Sequence, residues 1–327
     1  MAKRNHFDHL IGFAVSNPWA ITPEMLSVIE GILTRRLAGE DTTVDVQALG
    51  RREVPTVQKG AGVALIPMHG VLAPRMNLFT EISGGTTFEQ ATQNLREAVD
   101  AKDIGTIVLD WDSPGGNAFG ASDFAREILK ARAVKPVISQ VNHMMCSAAY
   151  WTGSCATEIV ATCDAMVGSI GVYTMHDDLS ANREQRGVKR ELLGVGKYKL
   201  EGNDNAPLTD EGRAHVNALL EKTMARMCAD IAKGRGTTAA AVRAGYGEGR
   251  VVTADDALAA GMIDRIATLD DTLSRALAPA SGTSLTARAE AAAADGSQTP
   301  LEAADTQRLP DRTWKTDIER QLLALTL

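Results

Sequence analysis

Apolar and polar positions along this chain fall into two periods that take turns. Short β-rich apolar runs stand at GVALIPMHGVL (from Gly62, with a turn at His69-Gly70), Ile104–Trp111, Val137–Val141, Glu158–Ala161 and Met166–Val172. Between them lie stretches of helical period. Thr87 caps one, with Phe88, Ala91, Leu95 and Val99 on a single face, and Ala121–Arg132 carries Phe124, Ile128 and Leu129. Further on, the pattern predicts a helix over Asp178–Arg186 ended by Gly187, a strand over Lys189–Val195 and a polar loop. The longest helix follows, from Thr209 to about Lys233, with Val216, Leu219, Leu220, Met224, Met227 and Ile231 apolar. A strand, a Thr253-capped helix stopped by Gly261 and a short strand Met262–Ile266 close the series. Strands alternating with helices of this length predict right-handed βαβ units in an α/β fold with a mainly parallel sheet.

The ends differ from this core. Residues 1–57 read as a helical N-terminal segment and linker, with Thr22 and Pro23 as N-cap and first helical position. Residues 58–277 form the compact domain. From residue 278 to 327 the composition turns to Ala, Ser, Thr, Gly and Asp, which predicts a flexible tail, with a possible docking helix over Trp314–Leu327.

Composition excludes several classes. Of 327 residues, 44% are hydrophobic and 23% charged, as in a globular protein with a sizeable core. The net charge of -7 argues against a non-specific nucleic-acid binder. The four cysteines form no CxxC pair, and with six histidines they give no zinc spacing, so neither metal nor cofactor is expected. No apolar run approaches the ~18–20 residues of a membrane span, and the N-terminus lacks a signal-peptide pattern. The expectation is a chain with neither anchor nor leader.

Two corners carry the chemistry. Val137–Val141 runs through a polar turn into a small-residue helix opening at Cys146-Ser147-Ala148-Ala149. A serine there sits by free first-turn N–H groups and the positive end of a helix, where an oxyanion is favoured. Upstream, Asp112-Ser113-Pro114-Gly115-Gly116 follows another apolar strand, and its glycines let backbone amides approach a ligand closely. Both corners fall at carboxyl ends of parallel strands, where such sheets bind ligands. Cys146 reads as a small interior residue, and His69 as a structural histidine in a strand turn. Ser147 needs a base. A lysine base (Lys199 or Lys197) must be held neutral, which from about 10.4 costs roughly 4.6 kcal/mol at pH 7 and calls for desolvation. His176, with Asp177 or Asp178 to orient it, needs no such shift. Chemistry alone leans to His176, and the residues leave the choice open.

CSAAYW followed by VGSIGV, preceded by DSPGG and followed by a GxxK loop, resembles the S49 family of serine proteases, the signal peptide peptidase A type. GRVVTADDALAAGMID resembles that family's closing segment. NPWAITPEMLSVIEGILTRR with GVALIPMHGVLAPR resembles its branch in tailed phages and prophages, the head-maturation proteases of the lambda C type. The resemblance implies a Clp/crotonase-like fold of repeated ββα and βαβ units. It implies a Ser/Lys dyad with Ser147 as nucleophile, Lys199 as base and Lys197 as rival. The oxyanion amides would be those of Gly116 or Gly115 and of Ala148. It also implies a homo-oligomer with the dyad near a subunit boundary, acting inside the assembling prohead in the host cytoplasm on scaffold and head proteins and on itself. The tail between Ala278 and Asp305 is the expected self-cleavage region. Where many members carry Ser-Gly-Gly, this chain has Ser147-Ala148-Ala149, and the added methyl groups suggest small or apolar residues ahead of the scissile bond. The rival readings are a Clp-like Ser/His/Asp peptidase, a crotonase-type acyl-CoA enzyme and a capsid assembly factor with a dead site.

Overall fold

The computed structural model describes residues 18–28, 31, 58–60, 62–75 and 85–277. The expected tail, its self-cleavage region and its terminal helix lie outside the described residues, as does most of the N-terminal segment.

The β-rich runs become strands in chain order: β1 (Trp19–Ile21), β2 (Gln58–Gly60), β3 (Val63–His69), β4 (Leu72–Ala73), β5 (Thr86–Thr87) and β6 (Thr106–Ser113). They continue as β7 (Gly115–Asn117), β8 (Val137–Cys146), β9 (Glu158–Ala161), β10 (Met166–Gly168), β11 (Val251–Thr253) and β12 (Arg265–Ile266). The helices are α1 (Phe88–Asp100), α2 (Ala121–Arg132), α3 (Ala148–Gly153), α4 (Ser180–Gln185), α5 (Asp210–Arg235), α6 (Ala239–Gly245), α7 (Ala254–Ala259) and α8 (Leu269–Leu277).

The main sheet runs β11-β10-β8-β6-β3-β2, with β9 and β12 continuing from β8. The pairs β3–β6, β6–β8, β8–β9, β8–β10 and β9–β12 are parallel, and the outer pairs β2–β3 and β10–β11 antiparallel. The mainly parallel α/β sheet predicted from the period switches is therefore present. β6 and β8 read as near-continuous apolar runs because both faces are covered. On one side lie α1 and α2, Phe88 against Phe124 with ring centroids 5.7 Å apart. On the other, α8 packs Leu269 and Leu273 over Val63, Val108, Ile138 and Val160. A smaller sheet, β1-β7-β4-β5, stands at the carboxyl ends of β3 and β6.

Capping follows the sequence closely. Thr87, Thr209 and Thr253 accept from the N–H groups of Gln90, Gly212 and Asp256. Three readings need correction. The strand expected to stop at Val141 continues to Cys146, because Met144–Cys146 gain a second partner in β10 after a register shift against β6. The N-terminal segment reads as helical ahead of its linker, with a helix start at Thr22 and Pro23 and no strand before it. Residues 23–28 are helical after Pro23, but Trp19–Ile21 is a strand, recruited by pairing with β7. The strand expected over Lys189–Val195 is absent. Among the described residues that stretch pairs with no sheet edge and extends into solvent, Leu193 being 84% and Val195 97% exposed. Among the described residues no helix is long and apolar enough to cross a membrane.

Glu127 ties α2 to α1. It accepts from Arg96 at 2.9 Å and from Lys130 at 2.7 Å, and these bonds, Arg96 first, hold its carboxyl below the ordinary value of 4.5. A depressed carboxyl adds stability that is present above its unfolded pKa and lost as pH falls through the folded one. Glu127→Gln is therefore expected to lower the melting temperature at pH 7. Scans down the pH range should show the gap to wild type closing below about pH 4.

Candidate active site

Ser147 stands where β8 gives way to α3, at φ 55 and ψ −115. A non-glycine residue held there stores about 1–3 kcal/mol of strain and persists only where its surroundings over-determine it. They do so here. The Ser147 N–H donates to the Gly168 carbonyl at 2.7 Å, and its own carbonyl accepts the Trp151 N–H at 2.8 Å. The short helix behind it is bolted down on three sides. Trp151 Nε1 donates to buried Asp230 at 2.9 Å, and Tyr150 Oη to the Met262 carbonyl at 2.8 Å. Ser139 Oγ, itself held by Trp111 Nε1 at 3.0 Å, donates to the Gly153 carbonyl at 2.9 Å.

The two glycine-and-serine corners meet. Gly115 has φ +105, and a Cβ built on it would fall 3.0 Å from Ser147 Cβ, 2.9 Å from the Cys146 carbonyl oxygen and 2.3 Å from the Ala20 carbonyl oxygen. No side chain fits there, which is the physical need for glycine in DSPGG. On the far side the Ser147 hydroxyl faces the Gly171 carbonyl oxygen at 3.4 Å, a long and weak bond that leaves it free to turn. The serine is 1% exposed.

Amides surround it. Ala148 is the first residue of α3, so its N–H is one of those with no acceptor inside the helix. The Gly115 N–H donates to Ser113 Oγ at 3.2 Å, and that hydroxyl donates to the Gly70 carbonyl at 2.7 Å. Gly116 pairs with Ala20 of β1. Cys146 is fully buried, and burial, with the charge of Glu24 adding to it, pushes its thiol up to about 12. It stays protonated and unreactive, as expected of an interior residue.

The three proposed bases have other partners. Lys199 is exposed on the turn closed by its N–H to the Gly196 carbonyl at 3.0 Å. Lys197 Nζ is 2.5 Å from Tyr198 Oη and 3.4 Å from Glu211 Oε1. His176 Nε2 meets the Ala206 carbonyl at 3.2 Å, and Asp178 accepts from the Ser180 N–H at 3.0 Å instead of orienting His176. Among the described residues no hydrogen bond joins Ser147 to any of the three. His69 is tied to Asp110 at 3.1 Å, a link between β3 and β6.

Sequence reasoning missed three participants. Ser113 of DSPGG carries a hydroxyl two residues before a positive-φ glycine, placed to cap its N–H. The Gly168 and Gly171 carbonyls that frame Ser147 left no signal, since backbone acceptors carry none. β1 was hidden because its three residues acquire strand form only from their neighbours.

The structure thus places a strained, buried serine at a strand-to-helix corner, faced by a glycine corner, on a mainly parallel α/β sheet. Residues 130–281 match the family model described as Peptidase family S49. It is 32% identical over 204 residues to the capsid assembly protease C of Escherichia phage lambda, covering 62% of this chain and 45% of that one. With the head-tail preconnector protein GP5 of Enterobacteria phage P21 the identity is 27% over 256 residues, 73% of this chain and 51% of that one. The chain spans about half the length of these two relatives. Among solved structures it is similar to a ClpP1 mutant from Listeria monocytogenes, with TM-score 0.40 and 12% identity over 64% of this chain and 94% of that one.

Gly115→Ala puts a methyl group into the Ala20 and Cys146 carbonyl oxygens and onto Ser147. The expected cost is about 1–3 kcal/mol of stability. Labelling of Ser147 by a fluorophosphonate should slow by roughly a hundredfold, since a displacement of about 1 Å is worth that much. Thermal melting and labelling rates measure the two effects separately.

Proposed function

We propose that this protein is a serine endopeptidase in which Ser147 attacks the peptide carbonyl and Lys199 is the general base. The observation that carries the reading is the strained Ser147 corner between Gly115 and Gly171, inside the stretch that matches the S49 family model. Strain of this kind has no use in a reading where the serine is incidental, and this weighs against an acyl-CoA enzyme. In the attack, Ser147 Oγ bonds to the carbonyl carbon while its proton passes to neutral lysine. The oxyanion gathers the Ala148 N–H and the Gly116 N–H, the latter once Ala20 of β1 gives it up. The same ammonium then returns its proton to the leaving amine, and water repeats the cycle to free the acyl group.

Lysine is a base only where burial keeps it neutral, and Lys199 is exposed on a single chain. The arm that carries it, residues 188–200, presents Val188, Leu192, Leu193, Val195 and Leu200 to solvent. That apolar face suits a contact with a second copy, which would bury the arm and deliver Lys199 to a neighbour's Ser147. Lys197 is the weaker candidate because Tyr198 and Glu211 already engage it. His176 is weaker again, since among the described residues its ring is hydrogen-bonded to the Ala206 carbonyl and to no carboxylate.

The relatives' names, a capsid assembly protease and a head-tail preconnector protein, support a substrate class of capsid precursors: scaffold and head proteins, cut in the host cytoplasm within the assembling prohead. The domain boundaries proposed are 58–277 for the peptidase, with flanking segments 1–57 and 278–327.

Casein and intact-mass assays of purified protein test the dyad. Ser147→Ala is expected to abolish cutting, and Lys199→Ala to reduce it by roughly 10³-fold or more, as when one member of a catalytic unit is lost. Lys197→Ala and His176→Ala should each keep activity within about threefold of wild type, less than ~1 kcal/mol in the barrier. Full activity in Lys199→Ala with loss in His176→Ala would replace the dyad by a Clp-like triad.

A further inference from the structure

β1 lies over Ser147 as a strand held from both sides. Along one edge it runs antiparallel to β7, with Trp19 opposite Asn117, Ala20 opposite Gly116 and Ile21 opposite Gly115. The flanking bonds are Thr22 N–H to the Pro114 carbonyl (3.1 Å) and Ala118 N–H to the Pro18 carbonyl (3.2 Å). In that register Ala20 and Gly116 form a hydrogen-bonded pair of the ladder, and the Gly116 N–H is aimed at the Ala20 carbonyl oxygen. Along the other edge Trp19 exchanges both backbone bonds with Tyr173, 2.8 Å and 3.0 Å. Tyr173 is two residues beyond Gly171, whose carbonyl faces the Ser147 hydroxyl. The floor between the two edges is Ser147 itself. The Ala20 carbonyl oxygen and Ser147 Cβ lie 2.3 Å and 3.0 Å from the same point, where a Gly115 side chain would begin.

This is how a sheet edge captures an extended peptide: main-chain bonds supply affinity, and pockets for alternate side chains supply selectivity. We infer that the channel between β7 and Gly171–Tyr173 is the peptide-binding groove of the site, and that Trp19–Ile21 is its resident occupant, which a substrate strand must displace. The inference deepens the serine-peptidase reading and rests on it for the word substrate. The occupant also specifies the ligand. Ala20, whose carbonyl shares the Gly115 contact point with the serine, is wholly buried, so the central position takes a small residue. Its neighbours Trp19 and Ile21 are 2% and 1% exposed, packed in an apolar cluster with Leu26 and Val71 and bordered by Met25, Tyr173 and Met175. The groove therefore takes an extended bulky–small–bulky apolar segment.

The test separates coverage of the serine from its chemistry. In full-length S147C, peptide-resolved mass spectrometry follows alkylation of the thiol at position 147 by iodoacetamide, with and without Ala20→Pro, which removes the Ala20 N–H bond to β7. The proline variant is expected to alkylate about tenfold faster or more with an unchanged melting temperature, as RT ln 10 of lost strand pairing allows. If proline unfolds the protein, Trp19→Ala with Ile21→Ala loosens the strand through its side chains instead. The peptide NPWAITPE, residues 17–24, added at millimolar concentration to the loosened variant should restore slow alkylation, and the same peptide with leucine for its alanine should not. Equal alkylation rates in folded variants, no restoration by the peptide, or a wild-type chain cut between Ala20 and Ile21 would each overturn the proposal. Fluorophosphonate labelling of the Ser147 proteins reads the other question. Coverage that responds to β1 without any labelling leaves the groove and removes the peptidase, and labelling indifferent to β1 does the reverse.

Discussion

The backbone of Ser147 is the constraint on which the site depends. Its positive φ breaks β8 and starts α3 within one residue, and that abrupt turn is what brings the hydroxyl to the carboxyl edge of the sheet. Holding it requires the Gly168 carbonyl on one side and the first helical bond from Trp151 on the other. It also requires a helix that cannot slide, which Asp230, Met262 and Ser139 secure through Trp151, Tyr150 and the Gly153 carbonyl. These anchors come from α5, from the loop after α7 and from the middle of β8. Elements far apart in sequence thus converge on one strained residue.

Much of this was legible in the chain. The switch between periods gave the parallel sheet. Threonine caps at 87, 209 and 253 gave three helix starts to the residue, because a cap is a local bond between neighbours. The two corners were recognisable because serine after an apolar strand, and paired glycines after another, each have a local chemical reason to be there. What could not be read depends on distant partners. Met144–Cys146 look like a turn until β10 arrives beside them. Trp19–Ile21 looks like the approach to a helix until β7 and Tyr173 flank it. Lys189–Val195 has strand composition but joins no edge among the described residues, and propensity without a partner forms nothing.

The arm from 188 to 200 connects fold to function. Its apolar side chains are exposed in the described structure, which is costly in water. Lys199 at its end is exposed, whereas a lysine base calls for burial. One event, burial of the arm against another copy, would relieve the first condition and meet the second. Activity would then follow assembly, a useful coupling for a protease whose proposed substrates are themselves assembling. The strand over Ser147 adds a second condition, since the groove must also be vacated.

The most direct measurement of the central claim is complementation. Ser147→Ala and Lys199→Ala proteins, each inactive alone, are mixed, dissociated and reassembled together, and casein cleavage is followed. A dyad formed between copies predicts that activity returns, because the lysine of one variant meets the serine of the other, with a maximum near an equal mixture. Mixtures that assemble but stay inactive at every ratio would contradict the account and place serine and base within a single chain.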